Sequence, residues 1–216
     1  MESAQPGKHP SRPEGVPAHD PLSWSRLYRY RKAAAARWGR IYDLPLARRP
    51  RDLVVAHTVP GQQVLEVGAG EKRIRGHLVA AHGRIDYFSL DIDRDEPHDF
   101  YHLDEVHQTF DRVLALEVAE HLEWAELRPW LAGLRRTLRE DGLLILSTPN
   151  TYYPPAYLRD ATHRTPLCYD ELAGLVESVG LDVIGIYRIY NDPLHRKLLR
   201  RYLLGWLFRT LGLDFA

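Results

Sequence analysis

The run QVLEV, Gln63 to Val67, leads into Gly68-Ala69-Gly70 and then into a helix-forming stretch, RIRGHLVAAH, that Gly83 ends. A buried strand that turns through two closely spaced glycines into a helix is the opening of a βαβ unit. The rest of the chain keeps that alternation. IDYFSLD, DRVLALE and LLILSTP are apolar, strand-like runs, and between the last two lies WAELRPWLAGLRRTLRE, with apolar residues at helical spacing and a stop at Asp141-Gly142. A Tyr/Pro-rich loop, a helix at YDELAGLVESVG and a strand at LDVIGIYRIY complete the series. Strands alternating with helices predict a Rossmann-like α/β fold, a mainly parallel sheet with helices on both faces.

A chain of 216 residues suffices for one such domain with tails at either end. Residues 1–21 hold five prolines among Gly, Ser and charged residues and are expected to be disordered. Asp20-Pro21 reads as a helix start, and that helix is expected to close at Gly39. Pro45 and Pro50 break the following stretch into short pieces, so 22–60 forms an N-terminal helical segment. The main domain then covers 61–192, and 193–216 is a basic amphipathic tail. The lone Cys168 excludes an internal disulfide framework, and the N-terminus lacks the apolar segment of a secretory signal, so a cytoplasmic setting is expected. A total charge of zero conceals +7 over 21–60, −10 over 61–192 and +4 over 193–216. Such patches either attract one another within the fold or meet anionic partners.

The glycine turn constrains the ligand. A dinucleotide site calls for G-x-G-x-x-G, and here the sixth position is Arg73, whose bulk spoils the close helix–strand contact a third glycine permits. No GxxxxGK[ST] phosphate loop exists either. Glu66, just before the glycines, can accept bonds from a cofactor amine or organise the turn. Asp91 ends the next strand, twenty-three residues after Gly68, where a carboxylate can accept both hydroxyls of a ribose.

VLEVGAG, FSLDID, FDRVLALEVAEHL and LRRTLREDGLLILSTPN, in that order, resemble the motifs of the class I S-adenosylmethionine-dependent methyltransferases of the small-molecule and glycan type, over residues 62–190. The resemblance implies the cofactor S-adenosylmethionine. It implies that Glu66, Gly68 and Gly70 line its methionine and ribose side, that Asp91 holds the ribose hydroxyls, and that Ile92 lies against the adenine. It places Asp104 at the adenine amino group and Glu117 beside the methionine. Two departures stand out: Lys72 occupies the place where many members have a third glycine or small residue, and no seventh strand follows LDVIGIYRIY.

The acceptor chemistry gathers at the end of DRVLALEVAEH. Glu117, Glu120 and His121 share one face if a helical turn begins there, and His163, in RDATHRTP, tops the same pocket in this fold. Either His121 or His163 is a catalytic base, or Glu117, Glu120, His121 and His163 together hold a divalent metal that acidifies a hydroxyl. The metal arrangement resembles that of small-RNA 2′-O-methyltransferases and some quinone O-methyltransferases; a purely structural role in capping the turn is the third alternative. STPNTYYPPAYLRDATHRTP resembles the acceptor loop of bacterial glycan methyltransferases, which implies Asn150, Tyr152 and Tyr153 as substrate contacts. Packing of the tyrosines into a lid is the competing reading. His98, His102 and His107 read as surface residues.

Together these features predict O-methylation of a small-molecule, glycan or lipid-linked acceptor. Oxygen is preferred because Pro154-Pro155 lack the context of an amino-methylation signature. An RNA 2′-O-methyltransferase would require a basic groove, and the acidic core argues against nucleic acid. A cofactor-binding scaffold without an acceptor site is the alternative outside enzymes. Residues 193–213 carry five Arg/Lys and no acid, with Leu198, Tyr202, Leu203, Trp206 and Leu207 on one face of a helix. That pattern suits peripheral membrane contact or packing against the domain.

Overall fold

The computed structural model describes residues 22–189, 202 and 205–210. The first helix, α1 (Trp24–Trp38), starts after Ser23 and closes at Gly39, which takes φ 76°. Asp20 and Pro21, the expected helix start, lie outside the described residues, as does the segment 1–21. A short strand β1 (Leu46–Ala47) and α2 (Pro50–Ala56), with Pro50 in its first turn, follow. The core then runs β2 (Gln63–Val67), α3 (Arg73–His82), β3 (Asp86–Leu90), β4 (Phe110–Leu116), α4 (Trp124–Arg136) and β5 (Leu138–Ser147). Helices α5 (Pro154–Leu158) and α6 (Tyr169–Ser178), the short strand β6 (Arg188–Ile189) and α7 (Gly205–Thr210) complete the described elements.

Four strands form one parallel sheet in the order β3-β2-β4-β5. From β2 the chain steps outward to β3, then crosses back to β4 on the other side. The carboxyl ends of β2 and β4 therefore flank the point where the strand order reverses, which is where ligands bind in open α/β sheets. Period-two alternation along the strands sorts the core into two layers. Leu65, Val67, Val113 and Ala115 pack with Leu127, Leu131 and Leu134 of α4 and Leu175 of α6. Val64 and Leu114 face the opposite way, against Val54 of α2 and Leu78 of α3.

Two expectations are corrected. The helix before β5 ends at Arg136 rather than near Asp141-Gly142, because Leu138 already pairs with Phe110 and the ladder shifts register before Arg112 meets Leu143. The extra residues Arg139–Gly142 form an irregularity inside the strand instead of a helix end. Over its described residues, 181–189, LDVIGIYRIY is not one strand: among them only Arg188–Ile189 is paired, and its partner is β1, not the main sheet.

Helix α1 lies against α6 because Gly174 lets the two backbones close in. A Cβ there would sit 2.8 Å from the Tyr30 Cβ and 3.4 Å from the Arg31 amide nitrogen. Arg31 bonds Asp170 and Glu171 across the same contact, each at 3.1 Å. Gly174→Val is expected to lower unfolding free energy by about 1–3 kcal/mol through overpacking. Urea denaturation measures it, and a wild-type midpoint would show that α1 contributes nothing to global stability.

Candidate functional site

The turn after β2 is tied to the end of β3 by main-chain bonds. The Gly68 and Ala69 amides donate to the Leu90 carbonyl at 2.8 and 3.2 Å. Gly68 takes φ 72°, and a Cβ on it would lie 2.4 Å from Val118 Cγ2, so glycine is required by both conformation and space. Gly70 takes φ 44°, and a Cβ there would meet nothing within 4 Å, so the turn is open on the side a cofactor would approach. The Asp91 carboxylate closes the arrangement: Oδ2 accepts from the Gly70 amide at 2.8 Å and Oδ1 from the Asp93 amide at 3.0 Å. Lys72 stands in the left-handed region, φ 55°, where a glycine would be easier. Its amide bonds the Ala69 carbonyl at 2.7 Å, and its Nζ reaches the Pro97 carbonyl at 2.5 Å. The lysine thus ties the turn to the loop after β3. Ile92, beyond Asp91, is 79% exposed. Asp104 lies on an exposed 3₁₀ turn, Leu103–Glu105. No described hydrogen bond or ion pair joins it to the glycine turn.

Glu66 is buried rather than open to the turn, and the Tyr87 hydroxyl donates to its Oε2. Burial pushes its carboxyl up to about 7; the Tyr87 bond pulls it down in part and Asp91 raises it further. The Tyr87 hydroxyl, desolvated and beside Glu66, is pushed far above the usual phenol range. Arg75 lies over the Tyr87 ring at 6.0 Å. A carboxyl whose pKa rises on folding binds more protons in the folded state, so stability is greatest below about pH 4.5 for this group and declines towards pH 7. Glu66→Gln keeps an acceptor for Tyr87 and removes that penalty. It is expected to stabilise the protein at pH 8 by up to about 3 kcal/mol and to leave it unchanged at pH 4. Equal effects at both pH values would show that folding leaves the Glu66 carboxyl in its ordinary range.

At the head of β4, Glu117 is the second non-glycine residue with positive φ, 56°, and such backbone outliers concentrate at functional sites. The left-handed turn sends its carboxylate to the neighbouring strand end, where Ser147 Oγ donates to Oε1 at 2.7 Å. Beside it opens a cleft of about 380 Å³ lined by Glu117, Ser147, Leu116, Ile74, Arg49 and Arg51. Arg51 is held by His77 at 2.8 Å, and no described residue pairs with Arg49. Sequence reasoning missed this arginine pair. The only signal was the basic run LARRPR, whose relation to β4 depends on α2 packing over the sheet.

The expectation that Glu117, Glu120 and His121 share one helical face is not met. A 3₁₀ turn, Ala119–His121, holds Glu120 and His121, and Glu117 precedes it in the left-handed region. Glu120 is 0% exposed, and its carboxylate has no aligned hydrogen bond, although the Thr148 hydroxyl lies close by. Burial pushes that carboxyl up to about 7, Glu117 raises it further, and Thr148 and His163 pull it back. The loop after α5 is stapled onto this turn. The Arg164 and Thr165 amides donate to the Glu120 carbonyl at 2.7 and 3.1 Å, and Thr165 Oγ1 donates to the Leu122 carbonyl at 2.7 Å.

That staple brings His163 to His121, with ring centroids 4.9 Å apart, and puts His163 Nε2 4.0 Å from Glu120 Oε1. Second partners decide the tautomers. The Thr162 hydroxyl donates to Asp160 Oδ1 at 2.7 Å, which leaves its oxygen to accept from His121 Nδ1 at 3.0 Å. His163 Nδ1 donates to the Tyr157 carbonyl at 2.7 Å. Both imidazoles, when neutral, therefore carry their lone pair on Nε2. One ligand atom from each of Glu120, His121 and His163 falls within 4.8 Å of the others. Glu117 is outside that cluster, so the expected four-residue set reduces to three. Asp160, Thr162 and Tyr157, which orient the imidazoles, could not be singled out from spacing alone.

In the acceptor loop, Asn150 Oδ1 accepts from the Tyr152 amide at 3.0 Å, an Asx turn. Tyr152 packs towards Tyr169, centroids 6.2 Å apart, and burial lifts its hydroxyl to about 12. Tyr153 is half exposed. Of the three expected substrate contacts, two serve the loop's own structure and Tyr153 is open. His102 and His107 are exposed, whereas His98 is partly buried: both ring nitrogens are covered, and the ring stands edge-on to Tyr101. No described helix is long and apolar enough to cross a membrane.

No sequence-family model and no curated protein sequence matches the chain. Solved structures do. A S-adenosylmethionine-dependent methyltransferase from Archaeoglobus fulgidus superposes with a TM-score of 0.52 at 17% identity, over 75% of this chain and 87% of that one. The 1,6-didemethyltoxoflavin N1-methyltransferase of Burkholderia thailandensis, solved with its substrate and S-adenosylhomocysteine, gives 0.53 at 20% identity, over 83% and 88%. A mycolic acid cyclopropane synthase complexed with S-adenosylhomocysteine gives 0.52 at 12% identity, over 90% and 88%. The chain has a Rossmann-like class I methyltransferase fold.

Proposed function

We propose that this class I methyltransferase fold works as a S-adenosylmethionine-dependent methyltransferase, transferring the methyl group to a hydroxyl oxygen of a small-molecule, glycan or lipid-linked acceptor. The observation that carries the reading is Asp91 bonded to the open Gly70 amide where the strand order reverses. The residues present fit the cofactor: Gly68 and Gly70 allow close approach, Asp91 meets a ribose diol, and Ile92 offers an apolar face to adenine. The cleft beside Glu117 holds an anion and a cation, Arg49, with no partner among the described residues, which matches the ammonium and carboxylate of the methionine end. When bound, S-adenosylmethionine would supply a methyl group on a sulfonium, open to in-line attack by the acceptor oxygen with the thioether as leaving group. The protein's share is alignment and removal of the hydroxyl proton. His121 suits that second role, since Nδ1 is committed to Thr162 and Nε2 is left as the base. His163 stands beside it as the alternative base.

Calorimetric titration of S-adenosylhomocysteine tests the reading. Binding in the micromolar range is expected; no binding would overturn it and send the search to nicotinamide cofactors.

The close approach of Glu120, His121 and His163 favours a second reading, in which a divalent cation is held by one carboxylate and two imidazoles and takes the Nε2 lone pairs that the first reading leaves for the base. The histidines already have the outer partners that ligating imidazoles usually have, and a metal would neutralise a buried carboxylate left without an aligned bond. Manganese titrated into chelator-treated protein is expected to fill one site, lost in Glu120→Gln. A titration without heat, together with an unchanged melting temperature, would refute the metal and leave the histidines as bases.

A further inference from the structure

The outer face of α1 is accounted for by neither the cofactor nor the acceptor chemistry. Helix α1 contains no acidic residue, and its inner face, Leu27 and Ala34, is buried against the domain. Its outer face presents Trp24, 75% exposed, and Tyr28, 44% exposed, stacked at 5.2 Å with rings 7° from coplanar. Lys32 continues the row, its ammonium 5.3 Å from the Tyr28 ring. Arg26 and Arg29 are exposed on the same helix, and no described acid pairs with these three cations. Large aromatic surface is normally buried or in use. A row of aromatic rings flanked by unpaired cations is the composition of helices that lie in the headgroup region of a bilayer.

We propose that α1 is a docking face for an anionic lipid surface. Charge complementarity argues for the lipid: the cations meet acidic headgroups while Trp24 and Tyr28 enter the interfacial layer, where amphipathic rings settle. The placement has a consequence for the site. Helix α1 rests on α6, through Arg31 with Asp170 and Glu171 and through Tyr169 bonding the Gly39 carbonyl at 2.5 Å. The chain entering α6 is the loop that carries His163. A bilayer under α1 would therefore border the acceptor loop, as delivery of a lipid-linked acceptor requires. The docking face does not depend on the methyltransferase reading.

The test is flotation of the full chain with neutral phosphatidylcholine vesicles and with vesicles containing phosphatidylglycerol, for the wild type, Trp24→Ala/Tyr28→Ala and Arg26→Glu/Arg29→Glu/Lys32→Glu. Wild-type protein is expected to float with the anionic vesicles alone, and the charge-reversed variant to stay in solution. Each surface cation contributes about fivefold to partitioning, and the aromatic variant is expected to lose at least as much as one cation. Melting temperatures and S-adenosylhomocysteine binding like the wild type's show the variants folded, and keep failure of this inference distinct from failure of the cofactor reading. Equal flotation of all three proteins would overturn the proposal. No flotation, with oligonucleotide binding that the charge reversal removes, would overturn it in favour of nucleic acid.

Discussion

Asp91→Ala is expected to weaken S-adenosylhomocysteine binding by about 100-fold or more. The carboxylate accepts from two main-chain amides, Gly70 and Asp93, and charge-assisted bonds of that kind contribute about 1.5–3 kcal/mol each. It also stands at the carboxyl end of β3, where it is the one acid among the described residues bonded into the glycine turn. Its loss removes both the partner that orders the turn and the acceptor proposed for the ribose. Asp91→Asn keeps one carbonyl oxygen for Gly70 and should fall between the two. The measurement is calorimetric, with the melting temperature as a check that the sheet survives; Asp91 is only partly buried, so the fold should tolerate the change. Wild-type affinity in Asp91→Ala would reduce the carboxylate to a surface feature and remove the main support for the cofactor reading.

Gly68→Ala should produce the largest loss of stability among single substitutions at the site, about 2–4 kcal/mol. Two costs add. A non-glycine residue at φ 72° costs about 1 kcal/mol, and the new methyl would press on Val118 Cγ2, at 2.4 Å, for a further 1–3 kcal/mol or so. Val118 begins the turn that carries Glu120 and His121, so the strain reaches the histidine pair. Adding Val118→Ala should recover the packing part and leave the backbone part. Urea denaturation of the two single variants and the double variant separates them. A double variant no more stable than Gly68→Ala would place the whole cost in the backbone.

Much of the architecture was legible in the residues. Gly61, Gly68 and Gly83 punctuate β2 and α3, and the apolar periods between them leave little choice of element. The same logic misread the end of α4. Asp141-Gly142 is a strong stop signal, but pairing of Leu138 with Phe110 claims those residues for the strand first. LDVIGIYRIY has the apolar content of a strand, and content does not say which edge it meets; among its described residues only Arg188–Ile189 finds a partner, β1.

The site divides along the same line. Sequence alone determined what local conformation controls: glycines where φ is positive, and an acid at the end of the strand beside them. Those features depend on neighbours a few residues apart. The tertiary structure decided the rest. Glu117, three residues from Glu120, is sent to Ser147 by a left-handed turn, while Glu120 is driven inward. His163, forty-two residues beyond His121, is brought to it by amides bonded to the Glu120 carbonyl. Arg49 reaches the same end of the sheet because Val54 is buried against Val64 and Leu114. Such meetings depend on how layers pack, and packing joins residues that no spacing along the chain connects.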